Sequence, residues 1–152
     1  VMYVHRVSEL RPKSLGGILR EAAGADYDGD PALDDLRVTL RVVSADDWHA
    51  YMLGMSYIRE DYSEGEGEGE RSPADMIRMS AEMLGPTRDL VVAGLVRLEG
   101  LEDDEGPFTV EPDEDGIALL ERADLLHAVA GAIQHIQGLT ETERGNCGAL
   151  PS

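Results

Sequence analysis

Lysine is almost missing from this chain: Lys13 is the only one among 13 basic residues, which face 31 acidic ones for a formal net charge of −18. Such a surface repels phosphate backbones, so direct DNA or RNA binding is not expected, and anionic membranes are disfavoured for the same reason. Cysteine is as scarce. Cys147 stands alone, which allows no intramolecular disulfide and fits a reduced, cytoplasmic setting. Aromatic residues make up 5% of the chain, with Trp48 and Phe108 the sole examples of their kind. No apolar stretch approaches the length of a membrane span. The first residues also lack the charged region and apolar run of a secretory signal.

What is present suits one domain, since 152 residues with 42% hydrophobic content can bury a core. The stretch 87–136 organises the rest. It holds two apolar segments, 90–98 and 117–136, separated by an acidic connector over 99–116. In the second segment Leu119, Leu125, Leu126, Val129, Ala130, Ile133 and Ile136 share one side of a helical wheel, with Glu121, Asp124, His127, Gln134 and His135 on the other. That pattern predicts an amphipathic helix facing a core. Asp113, Glu114 and Asp115 place negative charge at its start, and Gly138 is the expected stop. The first segment, LVVAGLVRL, is apolar almost all round and should be buried. Its valines suit a strand, but Thr87 after Pro86 offers a cap, and helix is the reading adopted.

From the N-terminus, VMYVHRV (1–7) reads as a strand. Ser14 should cap a short helix carrying Leu15, Ile18, Leu19 and Ala22, stopped by Gly24. An acidic loop, 25–35, leads to LRVTLRVV, whose Leu36, Val38, Leu40 and Val42 alternate with Arg37, Thr39 and Arg41 as in a half-buried strand. Ser44, with Asp47 three residues on, starts a helix with a stripe of Trp48, Tyr51, Met52, Met55, Ile58 and Tyr62. Residues 60–71, EDYSEGEGEGER, read as a flexible Gly/Glu linker. It divides an N-terminal α+β part, 1–59, from a C-terminal helical part, 72–152, within one compact domain. Ser72-Pro73-Ala74-Asp75 is a helix start, followed by Met76, Ile77, Met79, Met83 and Leu84. Thr140 and Glu143 form a capping box for one last helical turn, and GNCGALPS (145–152) reads as irregular. The expected fold class is α+β and predominantly α-helical: a small N-terminal strand pair with helices, then a helical C-terminal part.

No catalytic set emerges. As an EF-hand, the loop from Asp26 puts Pro31 where glycine belongs and Arg37 in the last place; the loop from Glu111 ends on Arg122. His127 and His135 would lie about 12 Å apart along one helix, too far to share a zinc, and His5 and His49 are distant in sequence. Gly54-Met55-Ser56-Tyr57-Ile58 lacks the second glycine of a nucleophile elbow. The Gly65, Gly67, Gly69 run lacks the Lys-Ser/Thr pair of a phosphate loop. The reading is a protein that is not an enzyme, with no cofactor and no metal site.

LVVAGLVRLEGLEDDEGPFTVEPDEDGIALLERADLLHAVAGAI, followed by RGNCGALPS, resembles small tail-assembly proteins of tailed bacteriophages and prophages, the tail assembly chaperones encoded near the tape-measure gene. The resemblance rests on an apolar segment, Leu98-Glu99-Gly100, the acidic connector with Gly106-Pro107-Phe108-Thr109, the Leu119-Leu120 helix and a short tail with Asn146. LRVTLRVVSADDW is similar to the strand-then-helix opening of such proteins. Leu98 stands where a tryptophan is expected beside the Glu-Gly. The resemblance implies a helical, non-enzymatic viral protein of the host cytoplasm that binds a tape-measure-like protein or another virion assembly protein, with homo-oligomers also open. It leaves open a virion component, such as a connector or tail accessory. From another class, an acidic nucleic-acid mimic would bind a basic protein. The acidity itself is read either as function or as the mark of a salt-adapted or GC-rich source.

If a partner helix is held, the candidate contacts are Trp48, Tyr51 and Met55 with Met76, Met79 and Met83. Methionines pack adaptably, and such stripes suit helix-in-groove binding; packing into the core is the competing role for all six.

Overall fold

Short polar side chains set four of the five helix starts. Ser14 Oγ accepts the Gly17 N–H at 3.1 Å and opens α1, Leu15–Ala23, which ends at Gly24 with φ 60°. Ser44 Oγ accepts the Asp47 N–H at 3.1 Å at the start of α2, Ala45–Ser63. Ser72 Oγ accepts the Asp75 N–H at 3.2 Å and begins α3, Pro73–Gly94. Asp113 Oδ1 accepts the Gly116 N–H at 2.7 Å and begins α4, Glu114–Arg122. Each satisfies a donor that the first helical turn leaves open. The last helix, α5, spans Leu126–Gly148. This computed structural model describes residues 10–63 and 72–148, with residue 63 and residues 140–148 by backbone alone. The strand expected over 1–7 with His5, the linker residues 64–71, and the tail from 149 on lie outside the described residues.

Four strands, β1 Lys13–Ser14, β2 Arg37–Leu40, β3 Leu95–Asp103 and β4 Gly106–Val110, form an antiparallel sheet in the order β1-β2-β3-β4. The fold is therefore α+β and mostly helical, as expected. Val38, Leu98 and Val110 are register partners across β2, β3 and β4, and all three are buried. They share one core with Leu15 and Ile18 of α1, Leu90 and Val91 of α3, Leu120 of α4, and Leu126, Val129 and Ile133 of α5. The β2–β3 pairing puts strands from both sides of the 60–71 stretch into one sheet. At the end of β2, buried Gln137 of α5 accepts the Val43 N–H at 3.2 Å and donates to the Val43 carbonyl at 3.4 Å. The two backbone groups beyond the ladder are thus satisfied.

Several local expectations need correction. Segment 90–98 is not one helix: α3 ends at Gly94 and Leu95 begins β3. A Cβ at Gly94 would lie 2.9 Å from Ile133 side-chain carbons, so only glycine lets the chain turn this close to α5. Pro86 and Thr87 do not start a helix but lie inside α3, where the Thr87 hydroxyl donates to the Met83 carbonyl at 2.8 Å. The acidic connector is mainly a β-hairpin, β3–β4, so the C-terminal half is not purely helical. Segment 117–136 is two helices broken at Asp124, whose φ is 58°. The break turns Ile117 and Leu120, rather than Leu119, fully inward. Gly138 does not stop α5, and Thr140 with Glu143 does not open a new turn, because the backbone stays helical through both to Gly148. Gly138 has no positive φ to end the helix. That also makes residues 145–148 helical rather than irregular. Residues 60–63 belong to α2, where Ile58 and Tyr62 continue its inner face. Thr39 is buried along with its neighbours Val38 and Leu40, so β2 is covered on both faces and does not alternate strictly.

On the surface, Arg88 of α3 grips Glu121 of α4 with two N–H groups, Nε to Oε1 and Nη2 to Oε2, the latter at 3.1 Å. This bonding holds the Glu121 carboxyl below its ordinary range. A lowered carboxyl pKa stabilises the fold above the unfolded-state value and loses that stabilisation as pH falls through the folded one. Arg88→Gln should return the Glu121 midpoint to the ordinary range in a carboxyl NMR titration. An unchanged midpoint would show that the pair does not form in solution.

Candidate functional site

Helices α2 and α3 lie side by side, and small residues bring them close. A Cβ at Gly54 would stand 3.3 Å from Pro86 Cγ. Beside that contact a groove of about 580 Å³ opens between them. Its floor is Tyr51 and Leu90; Ala50, Gly54, Gly85 and Ala93 form low walls; Asp47 and Asp89 stand at it, one from each helix. Tyr51 is 9% exposed and doubly fixed. Its hydroxyl accepts from Gln134 Nε2 of α5 at 2.7 Å, and its ring stacks on Trp48 with centroids 5.6 Å apart. Burial raises the Tyr51 phenol above its ordinary pKa, while the Arg59 charge and the Gln134 hydrogen bond act the other way.

The six residues singled out in the sequence fall in different environments. Tyr51 is core, with Trp48 and Met55 half-buried against it. On α3, Met79 and Met83 are half-buried, whereas Met76 is 55% exposed. The structure joins Trp48 and Tyr51 as a stacked pair and sets Tyr51 in the groove; none of the three methionines of α3 lines it. Sequence reasoning missed the apolar side chains that stand open to solvent. On α2, Leu53 is 40% and Tyr57 is 61% exposed. With Ala50 and Gly54 they follow the spacing i, i+3, i+4, i+7, but only Ala50 and Gly54 of this set line the groove. Val92, 48% exposed, lines it from α3. The available signal was that second periodic set on α2, lying opposite the aromatic stripe.

Asp30 accepts the Ala32 N–H at 2.9 Å, and Asp113 caps α4, so acids of both calcium-like loops serve as caps. His127 and His135 lie on α5 and His49 on α2; among the described residues no group of three His, Cys, Asp or Glu could hold a metal ion. No helix among the described residues is long and apolar enough to cross a membrane.

The chain matches no family model, no curated protein and no solved structure. The α2–α3 surface must therefore be read from its own chemistry.

Proposed function

We propose that this chain is a non-enzymatic binding protein that holds a helical segment of a partner on the outer face of α2 and α3. The observation that carries the reading is the apolar-floored groove between α2 and α3, with Val92 exposed on its lining. Apolar anchors around a concave strip suit an amphipathic helix laid into it, and the acidic remainder of the surface keeps the carrier soluble. The resemblance to tail assembly chaperones supplies the kind of partner: a tape-measure-like protein, met in the host cytoplasm during virion assembly.

Co-expression with the tape-measure-like product of a neighbouring gene tests this. The complex should purify intact and keep that product soluble. Ala50→Asp and Val92→Asp should weaken it while leaving the circular dichroism spectrum unchanged, because both residues line the groove and are exposed in the free protein. A complex indifferent to both substitutions, or none at all, would sink the reading. Competition with DNA for a basic protein would favour the mimic instead.

A further inference from the structure

We infer that the segment seated in the α2–α3 groove is cationic: a helix presenting a large apolar side chain to Tyr51 and Leu90, with arginine or lysine beside it for Asp47 and Asp89. The inference rests on the helix-holding reading and names the chemistry of what is held. Three features of the groove carry it.

First, the walls are low. Pro86 and Val92 are their larger residues, while Ala50, Gly54, Gly85 and Ala93 contribute at most a methyl group each, so space above Tyr51 and Leu90 is left for an incoming side chain. The Gln134 hydrogen bond and the Trp48 stack hold the floor in place beforehand, which lowers the ordering cost of binding.

Second, the two carboxylates at the groove make no ion pair among the described residues. Elsewhere some acids do meet an arginine: Asp34 with Arg20, Asp75 with Arg78, Glu99 with Arg97, Glu121 with Arg88. At the groove no arginine among the described residues plays that part. An uncharged segment would strip water from Asp47 and Asp89 without replacing it, which is unfavourable for a charged group. An arginine or lysine would replace it with a charge-assisted hydrogen bond.

Third, the long-range field has the matching sign. A net charge of −18 draws a basic segment in and repels an acidic one.

The test uses fluorescence anisotropy with three labelled synthetic helices of equal length and identical apolar face. Their flanking positions carry arginine, glutamine or glutamate. The arginine peptide should bind most tightly and weaken with added salt. Asp47→Asn and Asp89→Asn should each weaken it by about two- to fivefold, the range of partly exposed ion pairs, with Asp28→Asn as a control for net charge. Gly85→Leu should abolish binding. Its Cβ meets no atom within 4 Å, and leucine favours a helix more than glycine does, so the variant fills the groove without disturbing the fold or the charge. Equal binding of the glutamine or glutamate peptide would overturn the inference while helix holding stands; binding of none would remove both. Loss on Asp28→Asn equal to that at Asp47 and Asp89, or binding that survives Gly85→Leu, would reduce the effect to general charge attraction and overturn it. Dimerisation abolished by Gly85→Leu would assign the groove to a second copy and overturn it as well.

Discussion

Ile133→Ala should destabilise the fold by about 2–5 kcal/mol, the range for buried large-to-small changes. Ile133 is 2% exposed, and its outer carbons fill the space that Gly94 leaves open where α3 turns into β3. Truncation therefore leaves a cavity at the junction of α5, α3 and the sheet, with little freedom to collapse because the strand behind it is held in register. Leu126→Ala, at 2% exposure on the first turn of α5, should fall in the same range. Denaturant melts give both numbers. Losses under about 0.5 kcal/mol, as at ordinary surface sites, would mean that α5 does not pack as described.

Gly100→Ala is the second large effect, expected to cost about 2–4 kcal/mol by combining backbone strain with overpacking. Gly100 has φ 106° and sits where the β3–β4 register shifts between Leu98 and Leu101. A Cβ there would stand 2.7 Å from the Asp35 carbonyl oxygen, a backbone atom that cannot swing aside. Gly106 separates the two contributions. Its φ is 117°, yet a Cβ there meets nothing within 4 Å, so Gly106→Ala carries strain alone and should lose less. Equal losses in thermal or denaturant melts would show that crowding at Gly100 is relieved.

Three helix starts were legible because a cap is a local event: Ser14, Ser44 and Ser72 each bond a donor three residues ahead, a spacing the sequence displays directly. The same kind of signal at Thr87 and Thr140 opens no helix, since both lie inside one. Helix ends were less legible. LVVAGLVRL fits a buried helix or a buried strand equally well by periodicity, and the choice was made by Gly94 meeting Ile133, 39 residues downstream. Pro86 read as punctuation because proline usually is; inside α3 it packs against Gly54 of the neighbouring helix, a partner no local window contains. The break at Asp124 depends on a left-handed residue with no glycine to announce it. For the candidate site, the aromatic stripe of α2 was visible, but its role was not. A stripe facing a core and one facing a partner have the same period, and it took the fold to show Tyr51 as a floor and Tyr57 as an exposed ring outside the groove lining.

The Arg41 N–H donates to the Gly94 carbonyl at 2.9 Å, just beyond the Leu40–Leu95 pair. The whole α2–α3 excursion thus departs from and rejoins the sheet at a single rung. Because loop-closure entropy grows only slowly with length, whole turns can be gained or lost in matched pairs at the far ends of α2 and α3 while that rung stays shut. The reach of this arm is thereby uncoupled from strand register, and a change in its length leaves the sheet's closing rung intact.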